Sequence, residues 1–166
     1  MKRFVIAAYV ENKYGVLTRV SGLFMRKGFN IDSLTVGAVE DTAYSRITLT
    51  MRGDDYQCGQ LINQLKKLFN VKNVLLLEDE HSVERELMLI KLNNTPENES
   101  TLSSLAAQYG IRLTRSTETV LCTEVVGTPL EIDEFIEAVR PLGIIELCRT
   151  GVVALETNRN ITDAKD

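Results

Sequence analysis

Glu11-Asn12-Lys13-Tyr14-Gly15-Val16-Leu17-Thr18-Arg19 joins an apolar run, residues 4–10, to a segment in which Val16, Leu17, Val20, Leu23 and Phe24 recur at i, i+1, i+4, i+7 and i+8. The run reads as a buried strand and the recurrence as one face of a helix. Asn12 and Gly15 therefore fall on a strand-to-helix turn, where the first backbone N–H groups of the helix have no internal partner. Such a turn can hold a small carboxylate, because free N–H groups and the positive end of the helix dipole converge on it. Glycine permits the close approach, having no Cβ. The same residues also suit a plain connection whose glycine serves only its backbone angles.

The composition around this turn is that of an ordinary folded protein, with 44% hydrophobic and 25% charged residues among 166. That is enough apolar mass for a core without metals or disulfides, in one domain or two small ones. Nineteen basic residues against 23 acidic ones leave a net charge of −4, which offers no basic footprint for nucleic acid. No apolar run approaches the roughly 20 residues needed to cross a bilayer. Residues 1–10 lack the order of a signal peptide, so a cytoplasmic protein is expected. Cys58, Cys122 and Cys148 are scattered, odd in number and without a CxxC pair, as in a reducing compartment. His81 is the single histidine and lies in a polar connector. Metal-dependent or triad chemistry is therefore not expected.

Along the chain, Gly28 takes the place of a helix C-cap after Arg26 and Lys27. Residues 29–36, beginning at Phe29, read as a strand of imperfect period, and residues 45–52 alternate strictly as a half-buried strand. Asp54 or Asp55 caps a helix lined by Leu61, Ile62, Leu65, Leu68 and Phe69, and residues 71–77 give another strand. This is the βαββαβ order of a ferredoxin-like domain. After an acidic connector, 78–84, the pattern returns. A strand at 87–92 and a polar loop at 93–100 precede a helix lined by Leu102, Leu105, Ala106 and Tyr109 and ended by Gly110. Two strands follow within 111–126, then a helix opened by the capping box Thr128-Pro129-Leu130-Glu131. Residues 144–147 and 152–155 finish the second sheet, and 157–166 read as a frayed polar tail. The expected fold class is α+β, two tandem ferredoxin-like βαββαβ domains over residues 1–79 and 80–166. A four-stranded sheet with both helices on one face leaves the other bare, and the usual remedies predict a homodimer.

Within this order, Glu11-Asn12-x-x-Gly15-x-Leu17-x-Arg19-Val20, Gly22-Leu23-Phe24 and Arg26-x-Gly28-Phe29-Asn30-Ile31-x-Ser33-Leu34-Thr35-Val36 resemble the ACT domain of the small, regulatory subunit of acetolactate synthase. The similarity continues through Ser45-Arg46-Ile47-Thr48 and Val83-Glu84-Arg85-Glu86-Leu87-Met88-Leu89-Ile90-Lys91. It returns in Ile132-Asp133-x-Phe135 and in Arg149-Thr150-Gly151-Val152-Val153-Ala154-Leu155, while residues 93–100 and 111–125 carry little of it.

The resemblance implies an effector-binding ACT domain over 1–79 and the C-terminal domain of the small subunit over 80–166. It implies a chain with no catalysis and no cofactor of its own, which pairs with a second copy and holds valine or another branched-chain amino acid between the copies. Asn12, Gly15, Val16 and Leu17 would hold the amino acid from one chain, and Asn30 and Ile31 from the other. Read alone, Asn30 is a turn residue after Gly28. The partner is the large catalytic subunit, which would carry thiamine diphosphate, FAD and magnesium. This chain would raise that partner's activity and confer feedback inhibition. A stand-alone ACT-domain sensor regulating another protein is the alternative. Two other classes fare worse: an enzyme lacks nucleophile–base pairs here, and an RNA-binding module of the same strand order would need aromatics and a basic face on its central strands.

Overall fold

The computed structural model describes residues 1–28 and 30–162. Six elements make the first set: β1 (Lys2–Glu11), α1 (Val16–Lys27), β2 (Ile31–Ala38), β3 (Tyr44–Gly53), α2 (Asp55–Leu65) and β4 (Val71–Leu77). The set repeats as β5 (Ser82–Asn93), α3 (Pro96–Tyr109), β6 (Arg112–Ser116), β7 (Val120–Gly127), α4 (Pro129–Val139) and β8 (Ile144–Arg149), followed by β9 (Val153–Glu156). The two sheets have matching orders, β2-β3-β1-β4 and β6-β7-β5-β8, with β9 paired to β5. The fold is α+β, built from two ferredoxin-like βαββαβ sets.

Central position explains why residues 4–8 do not alternate. β1 lies antiparallel to β3, with Ile6 opposite Leu49, and to β4, with Ile6 opposite Leu76. Phe4, Ile6, Ala8 and Val10 pack beneath the helices with Val20, Phe24, Leu49 and Leu61. On the opposite face Val5 and Ala7 are closed over, with Leu75 and Leu77, by Val152, Ala154 and Ile161. The second set has its own core, in which Met88, Ile90 and Leu92 of β5 meet Ile132, Phe135 and Val139 of α4.

That closure changes several expectations. The chain forms two compact units. One unit is Met1–Val83 with Val152–Asp166, and the other is Glu84–Gly151. The first sheet's second face, expected bare and offered as the reason for a homodimer, is covered in part by the chain's own C-terminal segment. β3 is not half-buried. Thr48 and Thr50 share the face of Ala7 and Val5 and are buried with them, and Thr50 Oγ1 lies 2.8 Å from Ser33 Oγ. Nor does the tail fray where expected, since Thr157 N donates to His81 O at 2.8 Å and Asn73 Nδ2 to Ile161 O at 2.9 Å. Residues 163–166 and Phe29, the expected start of a strand, lie outside the described residues, and β2 begins at Ile31.

Two helix boundaries also move. α3 begins within the expected loop, because the Thr95 hydroxyl accepts from Asn98 N at 3.2 Å and Pro96 takes the first helical position. α2 stops at Leu65, which leaves Phe69 beyond it and exposed.

Candidate functional site

The strand-to-helix turn takes its shape from Gly15, which caps α1 at φ 77°, a left-handed conformation costly for residues with a Cβ. Val16 N donates to Lys13 O at 3.3 Å, Arg19 N to Gly15 O at 3.0 Å, and Asn12 N to Ala43 O at 2.7 Å. The Asn12 amide then donates to Thr42 O at 3.0 Å, fastening the turn to the β2–β3 connection. No side chain caps α1 and its first turn carries no acidic residue. Asp54, Thr95 and Thr128 all accept at the starts of α2, α3 and α4. Among the four α-helices of the described residues, the start of α1 alone thus lacks a side-chain cap, which suits an incoming carboxylate.

The four residues expected here divide by direction. Val16 points into the core and is 5% exposed. Leu17 is 43% exposed and gives the turn an apolar neighbour. Asn12 and Gly15 are exposed, and a Cβ built on Gly15 meets nothing within 4 Å.

Asn30 and Ile31 lie at the other end of α1. A helix of 12 residues is about 18 Å long. Strand register agrees, since Ile31 is level with Met51 and Phe4, whereas Ala38 is level with Ser45 and Val10. Asn30 is exposed, its amide 3.5 Å from Asp32 Oδ1, while Ile31 packs against the first core. One chain therefore does not bring the two halves of the expected site together.

Sequence reasoning missed a polar network beneath the turn. Glu11 N donates to Asn70 O at 2.8 Å and the Asn70 amide returns a bond to Glu11 Oε2 at 2.8 Å. Arg19 Nη1 donates to Asn70 Oδ1 at 2.6 Å. Lys72 and Lys13 pair with the Glu11 carboxylate at 2.8 and 3.0 Å. Lys72, then Asn70 and Lys13, hold the Glu11 carboxyl well below its ordinary range, at about 2. Nothing in the sequence around Asn70 marks it, since an asparagine before a strand reads as a turn residue.

Among the described residues, no group of three or more His, Cys, Asp or Glu is placed to hold a metal, and no helix is long and apolar enough to cross a membrane. Cys58 is buried, which pushes its thiol up.

Two family models divide the chain between them. The AHAS small subunit-like ACT domain matches residues 6–73, and the small subunit of acetolactate synthase matches residues 85–158. The probable acetolactate synthase small subunit of Archaeoglobus fulgidus is 43% identical over 92% of this chain and 96% of its own. The chain belongs to the acetolactate synthase small-subunit family. A further member, from Buchnera aphidicola, is 35% identical over 95% of this chain and 100% of its own. The crystal structure of the small subunit from Thermotoga maritima superposes with a TM-score of 0.88 at 30% identity, covering 96% of this chain and 100% of that one.

In the part matched by the second small-subunit model, three residues that carried the resemblance converge. Arg149 of β8 meets Glu86 of β5 and Asp133 of α4. These are bonds of architecture, holding a strand edge to a helix.

Proposed function

We propose that this chain is the regulatory subunit of acetolactate synthase. It binds the large catalytic subunit, raises its activity and makes it sensitive to valine or another branched-chain amino acid. Thiamine diphosphate, FAD and magnesium belong to that partner in this reading, and a cytoplasmic location goes with it. The observation that carries the effector's place is the start of α1 at Gly15, the one α-helix start among the described residues without a side-chain cap, beside the exposed Leu17.

Magnitudes argue for a pocket completed by a second copy. A carboxylate at a helix start gains about 0.3–2 kcal/mol, and full burial of a branched side chain adds roughly 1.5–3 kcal/mol. Binding at 1 mM already needs about 4.1 kcal/mol after the costs of association, and Leu17 alone buries only part of a ligand side chain. Topology offers a source for the rest. β2 is an edge strand, none of whose described residues is fully buried. α2 packs on β1 and β4 beside α1, which puts α1 on the β2 side of the sheet. If β2 pairs antiparallel with the same strand of a second copy, each copy's Asn30 and Ile31 come level with the other's Ala38, at the Gly15 end. A homodimer of this kind joins the two separated halves of the site.

The test is an acetolactate assay on the large subunit with and without this chain. The chain alone should make no acetolactate from pyruvate, even with thiamine diphosphate and magnesium. Added to the large subunit it should co-purify, raise turnover and introduce inhibition by valine, leucine or isoleucine. Turnover by the isolated chain overturns the reading. Amino-acid binding without association with the large subunit favours a stand-alone sensor.

A further inference from the structure

We infer that Asn70 is the positioning residue of the effector turn, its amide clipping Glu11, the residue before the turn, to Arg19, one helical turn beyond it. The inference rests on the effector reading above.

The clip has a direction that its partners dictate. An ionised carboxylate only accepts and a guanidinium only donates, so Nδ2 must face Glu11 and Oδ1 must face Arg19, as they do at 2.8 and 2.6 Å. Aspartate lacks the donor and alanine lacks both groups. Asn70 is 8% exposed, so neither bond is readily replaced by water. Arg19 N also donates to Gly15 O, so the clip reaches the capping glycine through a single residue. On its other side the turn is held by Asn12 to Thr42 and Ala43. The turn is therefore fixed from two directions, by the β2–β3 connection and by the residue preceding β4.

A turn that offers backbone N–H groups to a carboxylate works best when ordered before the ligand arrives, because ordering it afterwards subtracts from affinity. The apolar core beneath the turn is built without Asn70, since Val16, Val20 and Val71 pack there by themselves. Loss of the clip should therefore fall on effector affinity more than on stability.

Calorimetry with valine, leucine and isoleucine on the full chain tests this, with thermal unfolding recorded beside it. Three proteins are compared: wild type, Asn70→Asp and the double variant Glu11→Gln/Asn70→Asp. Asn70→Asp keeps an ion pair to Arg19 but sets a carboxylate against Glu11, amid the charges of Lys13 and Lys72, and affinity should fall about tenfold. The double variant exchanges donor and acceptor and should return affinity to within about threefold of wild type. Unchanged affinity in Asn70→Asp overturns the inference while leaving the effector reading intact. An affinity loss that the double variant does not restore also overturns it. Absence of binding by the wild-type chain overturns the effector reading itself, and the inference with it.

Discussion

Arg149 forks onto Glu86, with Nε donating to Oε1 at 3.0 Å and Nη2 to Oε2 at 2.6 Å, while Nη1 reaches Asp133 Oδ1 at 2.7 Å. The Glu86 side chain is 4% exposed, so its charge has little water to fall back on. Removing one partner of such a pair is costly because the other is left buried and unpaired. Arg149→Met should destabilise the 84–151 unit by about 3–5 kcal/mol. The double variant Glu86→Leu/Arg149→Met should recover most of that loss in urea denaturation. Equal losses in single and double variants would show that packing, not the stranded charge, sets the cost.

The Glu11 network makes a pH prediction. Its carboxyl is held at about 2 against an ordinary 4.5, chiefly by Lys72. A depressed carboxyl contributes its stabilisation in full above the unfolded value and loses it as pH falls through the folded one. The unfolding temperature of the wild type should therefore exceed that of Glu11→Gln at pH 6. The gap should close between about pH 4.5 and pH 2. A gap unchanged across that interval would mean that Glu11 does not titrate with folding.

Cross-chain completion of the pocket can be tested by mixing. Gly15→Asp should abolish effector binding, since its carboxylate meets the ligand's own at the helix start. The fold should persist, because a Cβ at Gly15 meets no atom within 4 Å and the left-handed backbone costs about 1–2 kcal/mol. Asn30→Ala should weaken binding less, by roughly 0.5–1.5 kcal/mol. Dimers mixed from the two variants carry both lesions in one pocket and none in the other, so calorimetry should find about half the sites of each mixed dimer active. No recovered binding after confirmed chain exchange would place Gly15 and Asn30 in one chain's pocket.

Where the sequence spoke clearly, it did so through backbone chemistry. Gly28 and Gly110 take the left-handed conformation that suits the helix ends read there, Asp54 caps α2, and the capping box of Thr128 forms. Thr95-Pro96 carries the same signal as Thr128-Pro129 but was hidden by the polar run after it. What sequence could not say was which apolar surface a given segment meets. Residues 152–155 look like any finishing strand, and no periodicity tells that Val152 and Ala154 close over Val5 and Ala7. Val16 shows the same limit at the turn, because its place in the sequence does not tell that its side chain is buried in the core. Asn70 is linked to Glu11 and Arg19 across more than 50 positions of chain, and that distance leaves no local trace.

The C-terminal cover can be probed directly. Ala154 is 4% exposed, and Ala154→Asp would bury a carboxylate against Val5 and Ala7, costing about 2 kcal/mol or more. A fragment of residues 1–80 lacks the cover altogether and should bind a hydrophobic dye and unfold at a lower temperature than the full chain. A fragment as stable and dye-silent as the intact protein would show that the segment contributes nothing.

The return of Val152 to the first unit also sets an order of events on the ribosome. Residues 1–83 leave the exit tunnel first, yet the face of Val5, Ala7, Leu75 and Leu77 waits for Ile161. At about 5–20 residues per second, synthesis of the Glu84–Gly151 stretch takes roughly 3–14 s. For those seconds the half made first stays half-finished, with a strip of apolar strand open to any neighbouring nascent chain. Every residue of that cover is translated after the whole Glu84–Gly151 stretch.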